Sequence, residues 1–211
     1  VALRVDTDSV DDPDGVRYTG VTGISRPLLA EPTPPGASQL PAGVVQINRR
    51  NYLMVATTKN LDPQNSRLVR VDPARGGWET VAGSVRTASF QGGRQTQISG
   101  YYDPIPRPDS PTGWVYIVAN SFTRRQPVVL YRATPEAFTD RSRWQGWSAG
   151  AGWNTGWNKA PTPLWPDLVG EMSIKQIDGM TVLSYFNATT GDMEVRVAAD
   201  ARAAWLRSRR D

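Results

Sequence analysis

The stretch GEMSIKQIDGMTVLSYFNATTGDMEVRV, residues 170–197, reads as three short β-strands joined by two tight turns. Its β-branched, aromatic and other apolar residues come in short runs, and turn-forming residues at 178–179 and 188–192 separate those runs. The stretch therefore predicts an antiparallel sheet with Glu171 at the head of its first strand. What the rest of the chain looks like depends on whether this stretch is one copy of a repeat.

Earlier parts of the chain repeat the same order of strands. Each copy begins with one strand, continues through a hairpin into a second, and then reaches a third strand that carries an arginine. The aligned arginines are spaced 66, 62 and 64 residues apart: Arg4, Arg70, Arg132 and Arg196. The first strands are predicted at 42–48, 94–100 and 170–177, and the second strands at 51–58, 114–121 and 180–187.

A unit of three to four antiparallel strands at a fixed period is the sequence form of a propeller blade. A β-sandwich is the alternative, because it also has turns at short intervals. A sandwich does not, however, place three strand types in the same order three times. We therefore predict an all-β fold, a β-propeller, with a single domain over residues 1–199 and a C-terminal tail at 200–211.

The predicted ring is incomplete, because three complete units and a partial N-terminal one are fewer than the four to eight blades typical of propellers. Residues 2–6 resemble a third strand without the two strands that should precede it. An open ring leaves unpaired strand edges, which natural proteins avoid. We therefore expect further chain segments, or a partner chain, to complete the propeller.

The composition excludes several kinds of site. The chain has no cysteine and no histidine, which removes disulfides, Ser-His-Asp triads and ordinary zinc sites. Proton transfer must then rely on carboxylates, tyrosine, lysine or water.

No cofactor is expected, although a calcium site built from oxygen ligands stays open. The net charge is +4, but the arginines are scattered, so we expect no nucleic-acid partner. No apolar run is long enough for membrane insertion.

Residues 41–60, 113–147 and 169–198 resemble successive blades of a bacterial and phage domain family. The most specific parts are Gly-Glu-Met-Ser at 170–173 and Tyr-Phe-Asn at 185–187. The family was long of unknown function and includes endo-D-arabinanases, glycoside hydrolases that cut the arabinan of mycobacterial cell walls. Its fold is a five-bladed β-propeller. The resemblance implies a polysaccharide partner and an extracellular, cell-envelope or phage-virion location.

The chain departs from the family pattern at two places. Family members carry a Gly-Asp-Thr-Phe motif in their first blade, whose Asp is a candidate active-site acid, and this motif is absent here. The family's Ser-Gly-Arg after the blade-three strand is replaced by Ser-Phe-Thr-Arg-Arg at 121–125. Arg125, or its neighbour Arg124, is the nearest match, and Arg125 is the predicted substrate-binding arginine.

Glu171 is the first candidate for a catalytic residue. In a propeller the first strand of each blade lines a central channel, and a carboxylate at the channel mouth among apolar neighbours is suited to a raised pKa and to general-acid work. Glycoside hydrolysis needs a second carboxylate about 5 to 9.5 Å away. Asp103 is the first candidate for it and Asp167 the second. The structural alternative is that Glu171 binds an arginine or backbone amides, and that Asp103 forms a turn.

Further substrate-binding residues are predicted in loops and at strand ends. Trp153 and Trp157 lie in a glycine-rich loop, where indole faces stack on sugar rings. The alternative for both is packing between sheets. Gln91 and Asn187 end strands near the expected channel, and their amides are suited to orienting a sugar.

Two functions follow from these residues. The first is a glycoside hydrolase acting on D-arabinan or a related polysaccharide. The second is a non-catalytic glycan-binding or structural propeller in a phage tail or cell-surface assembly. A second carboxylate within about 10 Å of Glu171 is the feature that favours the enzyme.

Overall fold

The structure, a computed structural model, describes residues 2–7, 16–22, 28–72, 78–154 and 160–201. These residues are almost entirely strand and turn, and the all-β prediction is confirmed. The predicted site residue Trp157 and nearly all of the predicted tail, at 202–211, lie outside the described residues. In the described ranges no helix is long and apolar enough to cross a bilayer.

The strands fall into a hairpin and three units. The hairpin consists of β1, Ala2–Thr7, and β2, Val16–Thr22. The first unit contains β3, Ser38–Ile47; β4, Arg50–Lys59; β5, Asp62–Val71; β6, Glu79–Thr80; and β7, Arg86–Thr87. The second unit contains β8, Gln97–Asp103; β9, Trp114–Asn120; β10, Val129–Ala133; β11, Gln145–Ser148; and β12, Gly152–Asn154. The third unit contains β13, Val169–Ile177; β14, Met180–Asn187; and β15, Met193–Ala198. Two short 3-10 helices are Phe90–Gly93 and Arg141–Arg143.

The order of strands agrees with the sequence repeat. In each unit the first, second and third strands pair antiparallel, and the third strands β5, β10 and β15 carry Arg70, Arg132 and Arg196. A parallel pairing of β3 with β8 joins the first two units into one ten-stranded sheet, while β13–β15 form their own sheet. The first strands of all three units are neighbours, because β8 also packs beside β13. The propeller itself stays a prediction.

The second unit lies between the other two, because both of its faces are covered. On one face, Ile98 and Ile117 pack with Val45, Met54 and Leu68 of the first unit. On the other face, residues of β8–β10 pack with residues of the third unit: Tyr101, Val118, Leu130, Ile174 and Leu183. Strands β9 and β10 are therefore buried along their whole length.

The outer face of the third unit has the opposite character. Register places Val195 opposite Ser184 and Val197 opposite Val182, so these residues share one face of the sheet. The exposed apolar residues of this sheet are Ile177, Met180, Met193, Val195 and Val197. The alternate residues of β15, Glu194 and Arg196, point toward the packed side, where they contact Tyr185.

Two glycines allow β3 and β8 to lie unusually close. Gly43 has φ of +124°, and a Cβ at this position would overlap the carbonyl oxygen of Ile98. A Cβ at Gly100 would lie 2.7 Å from the carbonyl oxygen of Tyr116 and 3.1 Å from Val45. Glycine is therefore required by the close approach of the strands, and at Gly43 also by the backbone conformation.

A buried arginine holds the second unit to the first. Arg141 is 1% exposed. Its guanidinium donates to both carbonyl and side-chain oxygens of Gln95 and Ser66 at 2.6–3.2 Å, and to the carbonyl oxygen of Ser84 at 3.2 Å. None of these acceptors is a carboxylate, and burial lowers the pKa of Arg141 to about 9. The guanidinium therefore stays charged at neutral pH and satisfies acceptors on three segments at once.

Replacing Arg141 should destabilise the domain strongly. We expect Arg141→Met to reduce the free energy of unfolding by about 3 kcal/mol, because several buried carbonyl and hydroxyl oxygens lose their donor. The measurement is the urea unfolding midpoint. Arg143→Met, at an exposed position of the same short helix, should change stability by less than about 0.5 kcal/mol. Equal effects of the two substitutions would contradict this role.

Glycine-to-alanine substitutions test the close approach of β3 and β8. We expect Gly43→Ala to cost about 3 kcal/mol or more, since the new methyl overlaps backbone of β8. Gly83→Ala is the matched control, because Gly83 also has positive φ, +72°, but has no atom within 4 Å of the added Cβ. Its cost should be about 1–2 kcal/mol, the backbone strain alone. A Gly43 variant as stable as the Gly83 variant would show that β3 and β8 are not in tight contact.

Candidate functional site

A cleft opens at the edge where the second strands end and the third strands begin. The β4–β5 turn at 60–61, the β9–β10 loop at 121–128 and the start of β13 meet there. The cleft has a volume of about 660 Å³ and is lined by residues of these three segments: Asn60, Leu61, Asp62, Phe122, Thr123, Arg124, Arg125 and Glu171. The predicted residues Glu171 and Arg125 are thus brought together.

A β-bulge turns Glu171 toward this cleft. Val169 pairs with Asn187 and Met172 with Tyr185, so Gly170 and Glu171 stand in the space of one ladder position. The extra residue changes which way the side chain points, as bulges beside functional sites commonly do. β3 has the same irregularity between Pro41 and Val44. Gly43 occupies the corresponding position there, so a carboxylate at this position is particular to the third unit.

Buried polar side chains of the second unit hold the bulge in place. Asn120 is fully buried, and its Nδ2 donates to the carbonyl oxygens of Val169, at 2.5 Å, and Gly170, at 3.0 Å. Gln97 Nε2 also donates to Gly170, at 3.4 Å. Glu171 therefore stands on a backbone segment that is fixed to β8 and β9, which favours a preorganised site.

Arg124 is the direct partner of Glu171. Its Nε and Nη2 donate to Oε1 of Glu171 at 3.1 and 2.5 Å, and its guanidinium lies 5.4 Å from the centre of the Phe186 ring. The apolar side chains of Leu61 and Phe122 line the cleft together with Glu171, whose own side chain is 62% exposed. The nearby arginine is Arg124, while Arg125 lines the same cleft without a hydrogen bond to Glu171.

Asp62 is a second carboxylate in the cleft, and sequence reasoning missed it. It begins β5, directly after a two-residue turn in which Asn60 and Leu61 have φ of 50° and 65°. This is the type I′ geometry of tight hairpins, and Asn48 and Arg49 in the β3–β4 turn have it as well. The repeat holds a signal for Asp62, because the β4–β5 turn corresponds to the loop that carries Arg124.

Asp103 lies far from Glu171, which contradicts the predicted pairing of these two carboxylates. Glu171 is near Gln97, the first residue of β8, whereas Asp103 is the last residue of that strand. Six residues of β-strand span about 20 Å. Asp103 is 4% exposed, accepts from the backbone N–H of Ile105 at 3.1 Å and forms an ion pair with Arg107 at 3.0 Å. It organises the turn, as the structural alternative held.

Asp167 and Asn187 bind each other instead of facing the cleft. Asn187 is fully buried, and its Nδ2 donates to Asp167 at 3.1 Å and to Glu194 at 2.7 Å. Its Oδ1 accepts from the backbone N–H groups of Thr189 and Thr190. The predicted sugar contact of Asn187 is thus contradicted, because its amide group is engaged in the β14–β15 turn. Asp167 is not among the cleft residues.

Trp153 packs within the protein, as the alternative to sugar stacking held. Its ring lies 5.1 Å from the ring of Trp147 and 6.1 Å from that of Tyr116, and the Arg132 guanidinium lies 4.6 Å from its centre.

Gln91 is half-buried in the short helix Phe90–Gly93, with φ of 54°. This helix contacts the β9–β10 loop through the bond from Gln126 to Gly92, but Gln91 itself does not line the cleft.

The cleft offers polar groups of both charges beside an aromatic ring. Carboxylates accept hydrogen bonds, guanidinium groups donate them, and Phe122 supplies an apolar surface. Such a mixture suits a ligand that has many hydroxyl groups. Across the described part of the chain, no three acidic residues come close enough together to form a metal site.

Comparison with known proteins agrees with the sequence resemblance at the level of the family. The model of the "Domain of unknown function (DUF4185)" family matches residues 1–210. The "Uncharacterized 35.9 kDa protein in asd 3'region" of Mycolicibacterium smegmatis is 64% identical over 200 residues, which are 95% of this chain and 59% of that protein. The "Notoamide biosynthesis cluster protein J'" of Aspergillus versicolor is 30% identical over 99 residues, 44% of this chain and 26% of that protein.

The chain thus spans well under two thirds of the length of these two relatives. Its family match extends over almost every residue, from the β1–β2 hairpin to the last described strand and beyond. The chain therefore belongs to the DUF4185 family.

Proposed function

We propose that the cleft binds a polysaccharide and that the domain is a glycoside hydrolase acting on cell-wall D-arabinan or a related polymer. The observation that carries the proposal is the presence of two carboxylates from different units, Glu171 and Asp62, in one open cleft. Glycoside hydrolases commonly use a pair of carboxylates that flank the scissile bond. The resemblance to the endo-D-arabinanase family supplies the substrate class.

In this proposal the two carboxylates of the cleft have catalytic roles, and Arg125 and Phe122 bind the substrate. The Arg124 guanidinium donates two hydrogen bonds to Glu171, which is assigned as the nucleophile or general base. Asp62, the other carboxylate of the cleft, is assigned as the acid that protonates the leaving oxygen. Arg125 and Phe122 are assigned to binding the sugar chain. An extracellular or cell-envelope location, or a place on a phage virion, goes with such a substrate.

We also propose that the three units are blades of a propeller. The side-by-side first strands β3, β8 and β13 support this arrangement, since the first strands of neighbouring blades line the channel together. The exposed apolar residues on the outer face of β13–β15 are a second support, because a further blade would cover them.

A non-catalytic glycan-binding module is the second candidate function. The observation that favours it is the exposed ion pair of Glu171 with Arg124, which is an ordinary surface arrangement as well as a catalytic one. In that case the cleft binds the polysaccharide of a cell surface and both carboxylates serve as hydrogen-bond acceptors.

Substitution of the two carboxylates tests the enzyme against the binding module. If the domain is a hydrolase, Glu171→Gln and Asp62→Asn should each lower kcat on D-arabinan by about 100-fold or more, with binding to the polymer changed only slightly. The measurements are release of reducing ends and retardation in gels that contain arabinan. Glu79→Gln is the matched control, because Glu79 is an equally exposed glutamate paired with an arginine, Arg70, at 3.5 Å.

The outcomes separate the candidates. Arabinan binding without release of reducing ends, weakened about tenfold by Arg125→Ala, would replace the hydrolase with the binding module. If the protein neither binds nor hydrolyses arabinan, this cleft is excluded as the arabinan site. Full activity of the Glu171→Gln variant would exclude it as well.

A further inference from the structure

A groove of about 830 Å³ lies on the first unit and shares no lining residue with the cleft. It is formed where the segment 28–41 crosses β4 and meets Trp78. Its apolar lining comes mainly from Leu28, Leu29, Leu40, Leu53, Val55 and Trp78. All of these residues except Val55 are only partly buried, so the groove presents apolar side chains to solvent.

The β1–β2 hairpin carries an apolar face of its own. The register of the β1–β2 pairing shifts between Arg4 and Val5. Arg4 pairs with Gly20 and Val5 with Tyr18, so Thr19 of β2 falls between two pairs as a bulge. Tyr18 and Val21 therefore fall on the same face of the hairpin, while Arg17 falls on the other. Tyr18 is 68% and Val21 is 50% exposed. A two-stranded ribbon is marginally stable alone and needs such a face to be covered.

The chain holds this hairpin close to the groove. β2 ends at Thr22, and Leu28, six residues later, already lines the groove. Six residues reach at most about 20 Å. Residues 28–30 are fixed there, because Trp78 N–H donates to Leu28 and Ala30 N–H donates to Trp78 at 3.0 Å. The tether gives the hairpin a high effective concentration at the groove.

We propose that the apolar face of the β1–β2 hairpin seats in this groove, with Tyr18 and Val21 against Leu53 and Trp78. The other face of the hairpin, which carries the exposed Arg17, then faces water. This docking covers two apolar surfaces of one chain at once, and the short tether offsets much of the entropy cost. The inference does not depend on the function proposed for the cleft.

Engineered cysteine pairs test the docking, and the absence of native cysteine makes their products unambiguous. We expect Tyr18→Cys with Leu53→Cys to form an intramolecular disulfide under mild oxidation, as read by mass spectrometry and non-reducing gels. The matched control pairs Tyr18→Cys with Val195→Cys, since Val195 is 63% exposed on the other apolar face of the chain. The groove pair should react at least about tenfold faster than the control pair.

Equal rates for the two pairs would overturn the proposal. Disulfide-linked dimers in place of the intramolecular product would also overturn it and would assign the groove to a second copy of the chain.

A second measurement is independent of the cysteines. Tyr18→Ser with Val21→Ser should release the hairpin and increase binding of the apolar dye ANS several-fold relative to wild type, whereas Met193→Ser should not increase it. A wild-type protein that already binds ANS as strongly as the hairpin variant has an open groove, and the docking would be wrong.

Discussion

The close approach of the first strands of the units is the constraint on which the rest of this structure depends. β3 lies so near to β8 that Gly43 has no room for a side chain, and Gly100 has none between Val45 of β3 and the carbonyl oxygen of Tyr116 in β9. This contact sets the distance between the first two units and lets both apolar clusters form on the two faces of the second unit. β13 also packs beside β8, so the first strands of the three units are neighbours.

The cleft is a consequence of that arrangement. Once the first strands are neighbours, the turn at 60–61, the loop at 121–128 and the start of β13 meet at one edge. Asn120 and Gln97, buried at the ends of β9 and β8, then hold the backbone of Gly170. The bulge beside it directs Glu171 outward. Packing of the second unit thereby fixes the orientation of a residue in the third.

Buried arginines connect segments of this domain that are distant in sequence, as disulfides or metal sites do in other small β-domains. Arg141 joins three segments through carbonyl and hydroxyl oxygens. Arg132 lies 3.8 Å from the centre of the Trp114 ring and pairs with Asp109 at 2.9 Å. Arg196 lies 4.1 Å from the centre of Trp165. In β10 and β15 the repeated arginine thus stacks on a tryptophan.

The sequence by itself determined the all-β class, the three strand types and their order, because alternation and turn residues act locally and the repeat showed them three times. It also placed Glu171 and Arg125 together.

Only the tertiary structure decided which residues share the cleft with them. Asp62 comes from another unit, about 110 residues away along the chain, and Asp103 lies at the far end of β8. Asn187 at a strand end and Trp153 in a glycine-rich stretch have the residue types of a sugar site, but both contact other residues of the protein instead. Burial and the direction of a side chain depend on neighbours distant in sequence, so they are settled only when the sheets pack.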